Sequence, residues 1–388
     1  MSLVKLKDIC QVNPPKEIVD GKVSFLRMED VSVDGTILNK QIKDYDEVSK
    51  GFSAFKDNDI LVAKITPCFE NGKCAYVEKL SNGVGFGSTE FHVLRADESK
   101  LLSKYLFYQV NSETFRKYGE INMTGSAGQK REPKSFIEQY KIYLPNIKEQ
   151  QKIVEILSIW DLTIEKQQQL IEKKKELKKG LIQRLLSGEV RFKEFNDEWE
   201  NKEIGNYIEE YKEKSTVSNQ YPVLTSSRNG IVLQTDYFKD NQVTTNDNIG
   251  YNIIPKEYIT FRTRSDDGTF VFNQNKIIDM GIVSYFYPVF KFNEEINTYF
   301  AITWLNNCID RQIRREIVGT SQLVLSLNKL KKFKINLPSL EEQNKIAEVF
   351  KTADKEIELL EKELEALKLQ KKGLMQRLFT GEVRVKVD

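Results

Sequence analysis

Apolar residues recur at alternating steps of three and four along two long stretches of the chain. In the later stretch they fall at Ile346, Phe350, Ala353, Ile357, Leu360, Leu364, Leu367, Leu374 and Leu378. The earlier stretch carries Ile153, Leu157, Trp160, Ile164, Ile171, Leu181 and Leu185 in the same register, with Gln167 and Lys174 interrupting it. This spacing places one apolar stripe on one helical face, and its persistence predicts a coiled-coil seam. Asn146 with Glu149, and Ser339 with Glu342, have the spacing of helix N-caps just after a proline. Gly188 and Gly381 stand where a C-terminal cap would end each helix. The charged outer faces, such as Lys173-Lys174-Lys175-Glu176, read as solvated.

The two stretches are copies of one another. Leu144-Pro145-Asn146-Ile147-Lys148-Glu149-Gln150-Gln151-Lys152-Ile153 returns as Leu337-Pro338-Ser339-Leu340-Glu341-Glu342-Gln343-Asn344-Lys345-Ile346. The register then holds without a gap to Gly188-Glu189-Val190-Arg191 and Gly381-Glu382-Val383-Arg384, and roughly half of the aligned positions are identical. The chain is therefore a duplicated unit. At ~1.5 Å per residue, each helix would be a rod roughly 60 Å long. If a pseudo-two-fold axis crosses the rods, the helices run antiparallel.

Residues 1–143 and 199–336 remain, and both read as mixed α/β. Strand-like runs include Asp59–Ala63, Glu90–Leu94, Tyr258–Phe261 and Ile282–Tyr287. A helix near Leu101–Tyr118 is matched by one near Asn297–Glu316, and each is followed by a short polar turn. A last strand, Tyr140–Tyr143 or Phe333–Asn336, then leads into the long helix. The fold class is α+β: two globular mixed α/β halves separated by two long helices in an antiparallel coiled coil, a pseudo-two-fold tandem repeat. The spacer is preserved while the heads diverge.

Composition narrows the class by exclusion. The chain has 388 residues, 40% of them hydrophobic and 30% charged, and its net charge of +2 does not by itself point to nucleic acid. No apolar run approaches the ~20 residues of a membrane span, and no signal-peptide pattern is present. The cysteines Cys10, Cys68, Cys74 and Cys308 lack metal-site spacing and read as reduced thiols. A cytoplasmic location and no metal site are expected. Asn13-Pro14-Pro15-Lys16 lacks the aromatic fourth residue of an adenine methyltransferase motif and reads as a turn before a strand. His92, the single histidine, has no matching nucleophile arrangement, and there is no phosphate-binding loop. The chain is expected not to be an enzyme.

The Leu-Pro-x-x-x-Glu-Gln-x-x-Ile pattern, the Lys-x-Gly-Leu-x-Gln-x-Leu-like helix end with Leu-x-x-Gly-Glu-Val-Arg, and the two variable halves resemble the specificity subunits of type I restriction-modification systems. The resemblance is strong over the helices and weak over the halves. It implies target recognition domains at 1–143 and 199–336, with conserved spacer helices at 144–198 and 337–388. Each recognition domain would read one half of a bipartite, asymmetric site on double-stranded DNA. The helices would set the half-site spacing and dock two methyltransferase subunits, which restriction subunits join. S-adenosylmethionine, ATP and Mg would then be bound by partner subunits, with no cofactor in this chain. Unlike halves imply unlike half-sites, and a stiff spacer would hold them roughly 34–36 Å apart, one helical turn of DNA.

Reading a base edge calls for Arg or Lys at guanine, Asn or Gln at adenine, and small hydroxyls elsewhere. In the first half this singles out Lys64, Thr66, Asn71 and Lys73 after a strand, with Ser126, Gln129, Lys130 and Arg131 in a Gly-rich basic loop. In the second half the counterparts are Ser227, Arg228 and Asn229, then Arg262, Arg264 and Ser265, joined by Ser321 and Gln322.

Overall fold

The computed structural model describes residues 3–126, 128–238, 247–316 and 323–386. The chain divides into two compact units, one of residues 1–169 with 361–388 and one of residues 170–360. Each contains a globular head and a stretch of both long helices.

The first long helix is Ile147–Leu186 and the second Leu340–Thr380. Their starts are set as the cap spacing predicts. Glu149 N donates to Asn146 Oδ1 at 2.9 Å and Glu342 N to Ser339 Oγ at 3.3 Å. Gly188 and Gly381 end them at φ of 73° and 72°, a left-handed conformation that only glycine adopts without strain.

In the first unit, four strands form an antiparallel sheet in the order Cys10–Val12, Phe91–Ala96, Ile60–Ala63, Cys74–Tyr76. A second sheet runs Gln41–Asp44, Lys22–Leu26, Val84–Gly87, Ser53–Lys56. Leu3–Lys5 pairs with Lys141–Tyr143 directly before the long helix. The predicted helix near Leu101–Tyr118 is two helices, Ser103–Val110 and Glu113–Asn122, because Ser112 caps the second through Phe115 N. Ile153 and Leu157 from the first long helix join Met375 and Leu378 from the second in one core with Leu101, Tyr105 and Phe115.

The second unit repeats the plan. Its antiparallel sheet runs Ile208–Tyr211, Val289–Phe292, Ile259–Thr260, Asn273–Gln274, and Glu200–Glu203 pairs with Lys334–Leu337 before the second long helix. The strand expected over Ile282–Tyr287 is shorter and lies at Met280–Val283. The chain turns there, with Tyr287 N bonded to Ser284 O, which leaves Tyr285 64% exposed. Ile182, Leu185 and Leu186 of the first long helix enter one core with Ile346, Ala347 and Phe350 of the second, among Phe300, Trp304 and Leu305.

Within each unit the helix segments run antiparallel. In the first, Gln167 bonds to Glu363 at 3.0 Å and Asp161 pairs with Lys371. In the second, Lys174 and Lys178 pair with Glu356 and Asp354. Gln167 and Lys174, which interrupt the apolar register, are thus cross-helix polar contacts. Ile171 and Leu364 are buried on the seam, while Trp160, Ile164, Ala353, Ile357, Leu360 and Leu367 are half-buried. Leu181 and Leu374 pack against the head cores. The ends of the apolar stripe are therefore head core rather than coiled coil.

The Glu-Gln pair of the repeated motif has a physical role in each unit. Glu149, 2% exposed at its side chain, accepts two bonds from Arg384, at 3.0 and 2.5 Å. Glu342, 1% exposed, accepts from Arg191 at 2.9 and 2.7 Å and from Trp199 Nε1 at 3.1 Å. These carboxylates do not fold back to close a capping box; the arginine after the opposite helix takes them. Gln150 binds Pro145 O, Lys100 O and Leu102 N, and Gln343 binds Pro338 O and Asn297 N, fastening each helix start to its head. Asp161 also accepts from Tyr108 and Asp354 from Tyr299. The duplication is thus preserved at the level of individual bonds.

Candidate nucleic-acid interface

In the first unit, two of the segments singled out from sequence come together. Ile65 and Thr124 each form a bridge with Arg131, Thr66 N donates to Lys130 O, and Glu132 N donates to Lys64 O at 2.8 Å. Asn71, Ser126, Gln129, Lys130 and Arg131 are exposed on this face or beside it. Other candidates are already engaged. The Thr66 hydroxyl donates to Glu70 at 2.7 Å, and Lys73 Nζ donates to Met28 O at 2.9 Å. Lys64 is half-buried. Gly72 (φ +81°) is held under the Arg116 guanidinium, and a Cβ there would lie 2.0 Å from it. This brings the chain close beneath Asn71.

The base of the loop is a buried polar cluster. Asn13 accepts from Val93 N at 2.9 Å with its Oδ1, so its amide NH₂ faces His92 Nδ1 at 3.3 Å. His92 Nε2 must then carry the proton, which it donates to Glu132 O at 3.0 Å. The NPPK turn and the single histidine are therefore scaffold. Burial, with the Lys64 charge acting in the same direction, pushes the His92 imidazole down, while burial pushes the Glu132 carboxyl up to about 8 against the opposing field of Lys64. His92 Nε2 also lies 3.3 Å from Glu132 Oε2, but its proton goes to the closer backbone carbonyl, so among the described residues the Glu132 side-chain oxygens accept no hydrogen bond.

Folding thus raises the Glu132 pKa, so the folded state retains a proton that an unfolded carboxyl releases near 4.5. Its contribution to stability is full below that value and falls as pH rises toward 8. Glu132→Gln should match wild type near pH 5 and stabilise the first unit at pH 8 by roughly 2–4 kcal/mol. Urea midpoints at both pH values, followed by fluorescence in a version that keeps Trp160 as its single tryptophan, test this. An equal shift at the two pH values contradicts it.

In the second unit, Leu224–Ser227 and Gly230–Leu233 form a hairpin whose tip is Arg228-Asn229. Asn273 Nδ2 donates to Ser226 Oγ at 2.8 Å and Ser227 O at 2.7 Å, and Arg228 pairs with Asp267. Arg264-Ser265 pairs with Leu323-Val324, so the chain flanking the expected Ser321-Gln322 turn runs beside Arg264. Ser321 and Gln322 themselves lie outside the described residues. Ser265 is buried and donates to Asp267 at 3.0 Å, so its hydroxyl anchors the loop. Arg262 and Arg264 are exposed, and among the described residues neither ion-pairs with an acid. Arg264 lies over the Phe286 ring at 4.1 Å. The hairpin tip rims a cleft of about 870 Å³ lined by Arg228, Asp267, Asn273, Asn307, Arg314 and Leu323.

Sequence reasoning missed Glu90, Asp267, Asn273 and Phe286, which hold the exposed arginines and the hairpin. The turn signal Asp266-Asp267-Gly268 marked one of them. The others are distant in sequence from what they touch. Among the described residues, no group of His, Cys, Asp and Glu could hold a metal ion, no helix is long and apolar enough to cross a membrane, and the four cysteines are unpaired.

Two diverged heads, each with polar loops gathered at one face and each completed by paired helices, define a two-headed recognition scaffold. Residues 1–175 and 196–369 each match the model of the type I restriction modification DNA specificity domain. The chain belongs to that family. It is 44% identical over 155 residues to the EcoEI specificity subunit of Escherichia coli, covering 39% of this chain and 26% of that protein. It is 39% identical over 182 residues to the EcoAI specificity subunit of Escherichia coli, covering 43% and 31%. These alignments thus span less than a third of either relative's length. A chain from a solved type I R-M system assembly has the same fold, with a TM-score of 0.62 at 15% identity, covering 98% of both chains.

Proposed function

We propose that this chain is the DNA specificity subunit of a type I restriction-modification complex. Each head reads one half of a bipartite, asymmetric DNA site, and the helices set the half-site spacing and dock two methyltransferase subunits. The observation that carries this reading is the double match to a DNA specificity domain on heads whose exposed loops differ in chemistry. One face offers Gln129, Lys130 and Arg131, the other Arg228, Asn229, Arg262 and Arg264. Unlike donor sets suit unlike half-sites. The chain acts by binding and carries no catalytic centre. S-adenosylmethionine, ATP and Mg belong to the methyltransferase and restriction subunits, which work with it in the cytoplasm.

Mapping methylated adenines in a host that carries the chain with its partner subunits tests this. The expected result is one split sequence with two unlike half-sites and an unread centre. Arg262→Ala combined with Arg264→Ala should relax the half-site read by the second unit, by roughly tenfold or more, and leave the other intact. Methylation without a split motif, or a loss spread evenly over both half-sites, overturns the proposal.

A further inference from the structure

On each head one exposed arginine of the reading loops is clamped by a carboxylate from a neighbouring segment. In the first unit Glu90 Oε2 accepts from Arg131 Nε at 3.0 Å and Oε1 from Nη2 at 2.8 Å. The Arg131 side chain stays 46% exposed and that of Glu90 26%. Glu90 is itself anchored, since its carbonyl accepts from Lys64 N at 2.9 Å. In the second unit Arg228, at the hairpin tip, pairs with Asp267. Asp267 also accepts from Ser265 Oγ and from Thr269 N, both at 3.0 Å. The two pairs are not copies of one another. Arg131 bridges to Ile65 and Thr124 inside its loop, whereas Arg228 sits at the tip of the hairpin of Leu224–Ser227 and Gly230–Leu233. The same arrangement thus arises twice from different positions.

From this geometry, and resting on the DNA-reading function proposed above, we infer that Glu90 and Asp267 are specificity-determining positioning residues that make Arg131 and Arg228 readers of a base edge rather than phosphate contacts. A guanidinium carries five N–H donors in a rigid fork. The Glu90 carboxylate occupies the Nε–Nη2 edge of Arg131. The outer edge of the fork keeps N–H groups directed away from the carboxylate, and among the described residues Nη1 makes only a long bond, 3.4 Å to Gln129 O. Two parallel donors of this kind match guanine O6 and N7.

Charge separates the two roles. A phosphate is bound chiefly through net positive charge, and each such contact steepens the salt dependence of binding. An arginine joined to a carboxylate has almost no net charge, and the carboxylate repels a phosphate brought beside it. Its donors remain, and at Arg131 the two-point contact holds the rotamer before DNA arrives, whereas the more exposed Arg228 meets Asp267 through Nη2 alone. The Arg131 guanidinium beside Glu90, and the Thr269 amide, Ser265 hydroxyl and Arg228 around Asp267, hold both carboxyls below the usual range, so both pairs stay ionised at neutral pH.

The test uses the chain assembled with its methyltransferase partner. Two quantities are measured: methylation across a library with every half-site base randomised, and the salt slope of binding to an unrelated duplex. Glu90→Gln should lower discrimination at one base pair of the first unit's half-site about tenfold while the other half-site is unchanged. Affinity for unrelated DNA should rise, and the salt slope should steepen by about one, because an uncompensated guanidinium is released. Asp267→Asn should mirror this at the other half-site. Arg131→Ala and Arg228→Ala should lose discrimination at those same base pairs without making the slope shallower. Loosening of the fold would weaken both specific and unrelated binding, so the opposed signs distinguish positioning from scaffolding. Unchanged base profiles in Glu90→Gln and Asp267→Asn, or parallel losses of both kinds of binding, overturn the inference while the function stands. A wild-type assembly with no split preference overturns the function and this inference with it.

Discussion

Phe350→Ala should destabilise the second unit by roughly 3–5 kcal/mol, while Leu369→Ala on the same helix should stay within about 0.5 kcal/mol of wild type. Both residues are apolar and both sit on the second long helix, but Phe350 is fully buried and Leu369 is 66% exposed. Phe350 belongs to one continuous core with Phe300, Trp304, Leu305 and the end of the first long helix. Truncating its ring removes apolar area and leaves a cavity that packed neighbours fill only in part. Trp199 and Trp304 lie in this unit and Trp160 in the other. Urea unfolding of single-tryptophan versions therefore reads the units separately, as a two-unit chain requires. A shift of the Trp304 transition without a comparable shift at Trp160 is the expected pattern. If Phe350→Ala moves neither, the helix is a spacer resting on the head and not part of its core.

Arg191→Ala should cost the second unit about 2–4 kcal/mol, and Arg384→Ala should do the same to the first. Each leaves a carboxylate almost wholly out of water, Glu342 or Glu149, without its bidentate partner. Lysine should rescue poorly, because a single ammonium cannot satisfy both oxygens in the plane. Arg191→Met combined with Glu342→Gln should recover much of the loss, since the penalty comes from stranding a charge rather than from losing an attraction. A double-mutant cycle checks this: additive single effects would mean the two side chains act independently. Trp199 donates to the same carboxylate, so its emission should report the Arg191 variants directly.

The helices were legible because their signals are local. Caps at Asn146 and Ser339, stops at Gly188 and Gly381, and a sustained apolar period all lie within a few residues of what they determine. The long motif was legible as a repeat but not as a mechanism. Nothing near Glu149 in the sequence indicates Arg384, and the contact exists only because the helix segments run antiparallel. The heads were harder to read. The strand expected through Tyr287 ends at Val283, where Ser284 starts a turn within a run of aromatic residues that reads as strand. The candidate loops were located by their polar and glycine-rich composition. Composition does not report that the Lys73 ammonium is tied to a carbonyl or that Ser265 points inward. Residues such as Glu90 and Phe286 become visible only when segments far apart in sequence meet.

The composition of the two units also sets an order of events during synthesis. The second unit is one uninterrupted stretch, 170–360, whereas the first needs 361–388 in addition to 1–169. Met375 and Leu378 fill the first unit's core and Arg384 neutralises its buried Glu149. As the chain emerges from the ribosome, the head made first therefore waits, its apolar surface partly uncovered, while the head made second is completed and closed. The head made earlier is the later to be finished. A chain truncated after residue 360 and released from the ribosome should carry a protease-resistant second unit and a protease-sensitive first one.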